Sequence, residues 1–189
     1  MHFLESIRFE SGQFHLLELH QARLDRTFVA FYPGAVPHQL TTLLPSFVAD
    51  GKHKFRFLYD DSTFTIESAP YQARTITSVK LVTADHLDYG FKFADRSEIN
   101  SLVQAAGTDE IIMVKDGLIT DASYANIACF DGATWWTPEQ PLLAGVKRAD
   151  LINKRKLTTR AIRPDELPTF KQICLINAML DLGDVTIQI

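Results

Sequence analysis

The sequence predicts an α+β fold made of two lobes. Its 189 residues are enough for one domain or two small ones. Runs that alternate apolar and polar residues indicate strands, and segments whose apolar residues recur every three or four positions indicate helices. The order of these elements is neither a strict strand–helix–strand alternation nor all strand, so it favours the α+β class.

The elements of the first lobe, expected at residues 1–74, follow from local signals. Ser11-Gly12 marks a turn after an alternating run rich in Phe and Ile, and Pro33-Gly34 ends a helical pattern. Pro45 limits the regularity of the next helix. The predicted elements are a strand over 3–9, a returning strand over 13–16, helices over 17–31 and 39–49, and paired strands over 54–59 and 63–68.

The second lobe is expected at residues 75–189. Asp95 with Glu98 three residues on resembles a capping box, and Gly107 ends the helix that it opens. Asp116-Gly117 and Asp131-Gly132 lie between alternating runs and predict two hairpins. The predicted elements are strands over 76–83, 110–114, 118–120, 126–130, 134–137, 161–162 and 172–176, and helices over 95–107, 145–156 and 164–167.

Composition and charge exclude several classes of protein. With 46% hydrophobic and 22% charged residues the chain is globular rather than disordered, and its net charge of −4 does not suit nucleic acid. It has no apolar run near ~20 residues and no basic segment leading into an apolar core at its start, so we expect a cytoplasmic protein without a membrane span. Cys129 and Cys174 lie in apolar runs and are expected to be buried thiols.

Sequence motifs for several common chemistries are absent. There is no GxGxxG after a strand, no phosphate-binding loop of the GxxxxGK type, no HExxH and no GxSxG. The six histidines show no pairing at metal-ligand spacing on one helix face, so no metal site is expected.

Three short segments of the second lobe could carry chemistry. Lys92 lies between Phe91 and Phe93, and a lysine in an apolar niche can act as a nucleophile; the alternative is a surface lysine. Asp121 is followed by small residues between two strands, as in many clefts, or it begins a solvated connection. Gly145 opens a helix, whose free N–H groups favour an anion; the alternative is an ordinary helix start.

In the first lobe, Arg23 lies about one helical turn beyond His20. The planar guanidinium of an arginine that points inward would suit a phosphate. The alternative is an arginine whose head reaches the solvent along the helix face.

The order of these segments, more than any one of them, carries information. It resembles the class IV aminotransferase family, pyridoxal-phosphate (PLP) enzymes of fold type IV that include branched-chain and D-amino-acid aminotransferases and 4-amino-4-deoxychorismate lyase. The resemblance runs from Phe3 to about Ile187. Its segments are Phe3–Arg8, His20-x-x-Arg23-Leu24, Lys92, Gly107–Ile112, Asp121 to Ile127, Thr137-Pro138 and Leu143–Arg148.

The resemblance implies two α+β lobes with PLP in a cleft between them, usually in a homodimer, and a small-molecule amine as substrate. It implies that Lys92 forms the Schiff base and is the catalytic residue, that Arg23 binds the phosphate, and that Asp121 faces the pyridine nitrogen. The cofactor-binding positions that it implies are Arg23, Lys92, Asp121, Asn126, Gly145, Val146, Lys147, Asn177 and Ala178.

Two positions depart from the family pattern, and the chain is shorter than typical members. Asp121 stands where a glutamate is usual, and Lys147 replaces the threonine of the glycine turn. Parts of the substrate pocket are therefore expected to be missing or supplied by a partner subunit.

The Asn177-Ala178-Met179 stretch resembles that of aminodeoxychorismate lyases, which form 4-aminobenzoate for folate biosynthesis, so the lyase is favoured over a transaminase of branched-chain or D-amino acids. A non-catalytic relic of the fold and an unrelated α+β binding domain are the remaining alternatives.

Overall fold

The computed structural model describes residues 1–188, which form two compact units. The first unit consists of Met1–Gln72 and Phe91–Asp95, and the second of Ala73–Gly90 and the chain from Arg96 onwards. The sequence had assigned Lys92 to a second lobe ending at 189, one position beyond the described residues. Lys92 groups instead with the first unit, because its carbonyl accepts the N–H of Leu4 at 3.0 Å.

The first unit is built on one antiparallel sheet. Its elements are β1 (Phe3–Glu10), β2 (Gln13–Phe14), α1 (Leu17–Phe31), α2 (Leu40–Leu43), β3 (His53–Tyr59) and β4 (Phe64–Pro70), and the strand order is β2-β1-β3-β4. Along β1 the side chains of Phe3, Ile7 and Phe9 are buried at alternating positions. They pack with Leu24 and Phe28 of α1 in an aromatic-rich core.

The second helix of the first unit is much shorter than its predicted span of 39–49. It ends at Leu43, and Leu44 has the extended backbone angles φ −69° and ψ 132°. Proline disfavours a helical conformation in the residue before it and has no N–H to continue the ladder. Pro45 therefore ends this helix after one turn rather than merely bending it.

The second unit contains a larger mixed sheet. Its elements are β5 (Val79–Thr83), α3 (Ser97–Ala106), β6 (Glu110–Lys115), β7 (Leu118–Ala122), β8 (Asn126–Phe130), β9 (Trp135–Pro138), α4 (Val146–Asn153), β10 (Thr158–Arg160), a 3₁₀ helix (Pro164–Thr169), β11 (Gln172–Asn177) and β12 (Leu180–Ile187). The strands run in the order β10-β9-β8-β7-β6-β5, and β11 pairs with both β8 and β12. The α+β class predicted from the sequence is confirmed.

Several boundaries differ from the predictions. β5 begins at Val79 rather than at 76, because the N–H groups of Thr77 and Ser78 bind the Asp109 carboxylate instead of a neighbouring strand. α3 begins at Ser97 with Arg96 at its cap, so Asp95 lies one residue too early to cap it.

Two strands near the end of the chain also differ. The strand predicted at 161–162 lies earlier, at Thr158–Arg160, where it pairs in parallel with β9. β12 lies outside the strands predicted from the sequence, although apolar residues alternate through its last half.

Two apolar clusters pack helices against this sheet. α3 packs Ile99 against Ile111 and Met113, and α4 packs Leu151 against Ala128 and Ile176. Cys129 and Cys174 are buried free thiols, as predicted. Within residues 1–188, no helix combines the length and the apolar character needed to cross a membrane.

Candidate active site

Lys92 is anchored to the first unit by the backbone and the aromatic rings on either side of it. Phe93 forms a bridge with Phe3, and the rings of both Phe91 and Phe93 contact Phe31 at centroid distances of 4.8 and 5.8 Å. Lys92 itself is half-buried. The flanking phenylalanines noted in the sequence thus fix the main chain of this lysine in place.

A buried cluster of three charged or polar side chains lies beside this segment. Arg23 donates from Nε to Glu5 Oε1 at 2.8 Å and from a terminal nitrogen to Glu5 Oε2 at 2.5 Å. The same Oε2 is 2.6 Å from His20 Nδ1. Arg23 is buried, so it is not the solvent-reaching arginine of the alternative interpretation. Two-point pairing of this kind fixes both the position and the plane of the guanidinium.

The protonation states of Glu5 and His20 depend on burial and on the charges of their neighbours. Burial alone would raise the pKa of Glu5, but Arg23 and His20 outweigh it and lower that pKa to about 2. Burial lowers the pKa of His20, and the charges of Arg23 and Lys92 lower it further against the opposing effect of Glu5. Glu5 is therefore a carboxylate and His20 a neutral imidazole at neutral pH.

In the second unit, Asp121 is the centre of a hydrogen-bonded group that joins a strand end to a loop. β7 and β8 pair where Asp121 lies opposite Asn126. Asn126 Nδ2 donates to Asp121 Oδ1 at 2.7 Å and to the Leu143 carbonyl at 2.9 Å, and the Leu143 N–H donates to Asp121 Oδ2 at 2.8 Å. The two predicted residues Asp121 and Asn126 are thus brought together.

Asp121 is nearly inaccessible to solvent, and its hydrogen-bond donors are neutral. Burial raises its pKa to about 6, against smaller opposing effects of the Leu143 N–H, the Asn126 amide and the more distant charge of Arg148. Such a carboxylate gains free energy from any cationic donor that reaches it.

Gly145 and Val146 begin α4 directly beside this group. A Cβ built on Gly145 would collide with Asn126 Oδ1, so only glycine fits while the Asn126 amide keeps its present position. The N–H groups of the first turn of α4 have no partners within the helix, and its dipole favours an anion there. Asp121, Asn126 and Gly145 therefore form one contiguous structure.

The side chain of Lys147 points to a different partner from the one that the resemblance implies. Its Nζ forms an ion pair with Asp181 Oδ1 at 2.6 Å. The cation whose charge acts on Asp121 is Arg148, which donates to the Pro138 carbonyl at 2.7 Å and whose pKa is lowered by burial. Arg148 is not among the site residues predicted from the sequence.

Asn177 closes the turn between β11 and β12. Its Oδ1 accepts the N–H groups of Met179 and Leu180 at 2.8 and 3.1 Å, and its Nδ2 donates to the Tyr124 carbonyl at 3.3 Å. Asn177 thereby ties this turn to the loop that follows Asp121. Ala178 lies in the turn and is half-buried.

Two buried carboxylates were absent from the predicted site. Glu5 lies on the same face of β1 as Phe3 and Ile7, and this alternation could have identified it as an inward charge that needs partners. Glu110 is fully buried and accepts the N–H groups of Ile111 and Ser123 at 2.8 Å each, which fixes the loop after Asp121. For Glu110, the signal in the sequence is an acidic residue at the start of an apolar strand.

Comparison with known proteins relates the whole chain to one family. A sequence profile described as amino-transferase class IV matches residues 2–187. An uncharacterized protein of Haemophilus influenzae is 32% identical over 181 residues, which cover 93% of this chain and 96% of that protein. A crystal structure from Haemophilus somnus 129PT, described as a candidate 4-amino-4-deoxychorismate lyase, is 32% identical with a TM-score of 0.89 and covers 96% of this chain and 97% of its own.

A more distant structure shows the same fold. A candidate amino-acid aminotransferase from Mesorhizobium loti is 19% identical, with a TM-score of 0.80 and coverage of 94% of this chain and 95% of its own. The match over residues 2–187 and the close relatives of equal length agree with the succession of segments in the sequence. This chain belongs to the class IV aminotransferase family, whose members are PLP-dependent lyases and transaminases.

Proposed function

We propose that this protein binds PLP through Lys92 and acts as a 4-amino-4-deoxychorismate lyase. The observation that carries the PLP part is the Asp121 carboxylate, which is buried, has a pKa of about 6 and is held by neutral donors. The lyase part is supported by the relative from Haemophilus somnus and by the Asn177-Ala178-Met179 stretch.

The residues present fit this cofactor. A protonated pyridine nitrogen is the kind of cationic donor that a buried carboxylate without a full counter-charge favours, so Asp121 would hold it. Gly145 and Val146 at the start of α4 would receive the phosphate. Lys147 would contribute its N–H rather than its side chain, since its Nζ is paired with Asp181.

The chemistry divides between the cofactor and the protein. PLP, when bound, supplies an electron sink for charge that develops on the substrate. Lys92 would carry the cofactor, give it up to the substrate amine, remove a ring proton at Nζ and return a proton to the departing enol, which leaves as pyruvate. Asp121 would keep the pyridine nitrogen protonated throughout.

An absorption spectrum of the purified protein with PLP tests the cofactor assignment. We expect a band near ~410–430 nm and, after borohydride, a phosphopyridoxyl group on Lys92 by mass spectrometry. Lys92→Ala should lose both, whereas Lys156→Ala, at an exposed lysine, should keep both. A band that survives in Lys92→Ala would show that another lysine carries the cofactor, and no band at all would favour the relic or an unrelated binding domain.

The reaction is tested by supplying 4-amino-4-deoxychorismate alone. A lyase releases pyruvate and 4-aminobenzoate without a second substrate, whereas a transaminase requires a keto acid to accept the amine. If 4-amino-4-deoxychorismate is not consumed, branched-chain and D-amino acids are supplied with a keto acid. Turnover of these amino acids would reassign the protein as a transaminase, the second candidate, and turnover of none of the substrates would leave a non-catalytic relic. We also propose that the protein is a homodimer and lies in the cytoplasm. Analytical sedimentation measures the oligomeric state.

A further inference from the structure

The short connection between Asp121 and Asn126 has little backbone hydrogen bonding of its own. Within residues 1–188, β7 and β8 are paired at one position, where Asp121 lies opposite Asn126, and the Ala122 N–H donates to the Ala125 carbonyl at 2.9 Å. Connections between strands that make few internal bonds are usually mobile. Groups outside the connection must therefore fix the geometry of Asp121 and Asn126.

Glu110, at the start of β6, holds this connection from one side. The ladder between β6 and β7 ends where Ile112 pairs with Ala122. Beyond that pair, Glu110 Oε1 accepts the N–H groups of Ile111 and Ser123 at 2.8 Å each, so one carboxylate oxygen joins the two chain segments past the last paired residues. Glu110 is fully buried, and water therefore does not compete for these bonds.

Arg96 holds the same connection from the other side. A terminal nitrogen of its guanidinium donates to the Ser123 carbonyl. Arg96 is the cap residue of α3 and is half-buried. Ser123 is therefore bound at its N–H by a carboxylate and at its carbonyl by a guanidinium, and hydrogen bonds to charged groups are stronger than those between neutral groups.

The next residue, Tyr124, is held by two further segments. Its carbonyl accepts Asn177 Nδ2 at 3.3 Å, and the guanidinium of Arg74 lies over its ring, 5.2 Å from the centroid. Arg74 is exposed to solvent. Because these contacts are longer or more exposed than those of Ser123, we assign the fixing of the connection mainly to Glu110 and Arg96.

We propose that Glu110 is a positioning residue for Asp121, which it keeps buried by holding the Ser123 N–H. Arg96 supports the same geometry from the Ser123 carbonyl. The inference rests on the proposed role of Asp121 toward the pyridine nitrogen. If Ser123 were released, Asn126 would part from Asp121 and water would reach the carboxylate. A carboxylate surrounded by water gains less free energy from a cationic donor, because Coulomb attraction is weak in a high dielectric.

Two neutral substitutions separate the hydrogen bonds of Glu110 from its charge. Glu110→Gln keeps an acceptor oxygen at the Oε1 position and places its NH₂ group at the Oε2 position, where no residue within 1–188 donates a hydrogen bond. Glu110→Met keeps the length of the side chain and has only a weak acceptor. Both remove the same negative charge, so a difference between them measures the effect of the acceptor.

Asp109→Asn is the matched control. Asp109 is the neighbour of Glu110, and its carboxylate likewise accepts backbone N–H groups, those of Thr77 and Ser78. Both of these residues lie outside the connection between Asp121 and Asn126.

The pKa of Asp121 is the measurable sign of its buried position. Burial raises this pKa to about 6; the charged group that acts on it is Arg148 of α4, and its donors Asn126 and Leu143 are neutral. Release of Ser123 would admit water to the carboxylate and lower the pKa toward the ordinary value of 3.8. In PLP-free protein this pKa is obtained from the pH dependence of the carboxyl ¹³C resonance.

Glu110→Met should lower the pKa of Asp121 by on the order of one pH unit, whereas Glu110→Gln and Asp109→Asn should leave it near the parent value. A general loss of stability does not imitate this result, because the resonance is that of the folded molecules. The proposal is overturned if Glu110→Met leaves the pKa unchanged, or if Glu110→Gln lowers it as far as Glu110→Met does.

Arg96→Met tests the same geometry without altering the buried carboxylate. Removal of a cation would by charge alone raise the pKa of Asp121, whereas release of Ser123 lowers it, so the two effects have opposite signs. We expect the pKa to fall and the Asn126 side-chain hydrogens to exchange with solvent about tenfold faster. Arg26→Met, at an exposed arginine on α1, should change neither.

The Arg96 variant decides the question if Glu110→Met does not fold. A raised pKa of Asp121 with unchanged exchange at Asn126 in Arg96→Met would then overturn the proposal. All of these measurements use PLP-free protein, so a failure of the proposed function appears separately, as a missing absorption band or a missing adduct on Lys92.

Discussion

Glu5 of the first unit and Asp121 of the second are both buried carboxylates, and their surroundings move their pKa values in opposite directions. Glu5 receives an arginine through two hydrogen bonds and a histidine N–H, and its pKa falls to about 2. Asp121 receives a backbone N–H and an amide, and its pKa rises to about 6. The neutral donors satisfy the hydrogen-bonding capacity of the Asp121 oxygens, but they do not compensate for the hydration that the carboxylate charge loses on burial.

The difference assigns distinct uses to the two groups. Glu5 is already neutralised within the protein, so it serves to hold Arg23 and His20. Asp121 keeps a negative charge, and the cation of its own unit that acts on it is the more distant Arg148. A carboxylate in that state is suited to a cation that comes from outside the chain.

Glu5→Gln should have the largest effect on stability. The amide keeps the size of the side chain but leaves Arg23 buried without its counter-charge, which typically costs about 3–5 kcal/mol. Urea denaturation at pH 7 measures the free energy of unfolding, and Glu18→Gln, at an exposed glutamate on α1, should change it by less than about 0.5 kcal/mol. Equal, small effects of both substitutions would mean that Arg23 does not depend on Glu5.

Asp121→Asn should change how stability depends on pH. The folded protein holds the Asp121 proton up to about pH 6, whereas an unfolded aspartate releases it near 3.8, so this residue lowers stability as pH rises through that window. The full difference is about 3 kcal/mol, and Asp121→Asn should abolish it. Asp116→Asn, at an exposed turn, is the matched control. Parallel pH profiles for the parent and Asp121→Asn, measured without PLP, would contradict the raised pKa.

Gly145→Ala should have a smaller effect on stability, and it tests the contact between Gly145 and the Asn126 amide. The new Cβ would displace the Asn126 amide, which joins Asp121 to Leu143, and we expect a loss of about 1–3 kcal/mol and weaker PLP binding. Gly90→Ala is the control, because its Cβ would meet nothing closer than 4.0 Å. If both alanines are tolerated equally, Asn126 can move at little cost.

The elements with strong local signals were predictable from sequence. The α1 helix over Leu17–Phe31 follows from the three- and four-residue spacing of its apolar residues, and both Asp-Gly turns lie where the hairpins occur. The helix predicted over 39–49 was wrong in length, because Pro45 constrains Leu44 more strongly than the apolar pattern favours a helix.

The hydrogen-bond partners of the site residues were harder to predict than the residues themselves. Asp121 and Asn126 could be named from the order of segments, but not that they would hydrogen bond with Leu143, because that contact depends on the path of a loop. Lys147 was named from its position, while its side chain pairs with Asp181, which lies 34 residues further along the chain. Such long-range pairs are a property of the folded sheet and leave no local pattern.

The inclusion of Phe91–Asp95 in the first unit has a consequence for protein synthesis. A ribosome that has released residues 1–72 has not yet supplied Lys92, Phe91 or Phe93, so the aromatic core beside β1 stays open at that stage. The segment Phe91–Asp95 emerges roughly twenty residues later, a delay on the order of seconds at usual elongation rates. Neither unit can be obtained by a single cut of the gene, and a fragment that ends at Gln72 should expose its phenylalanines and aggregate.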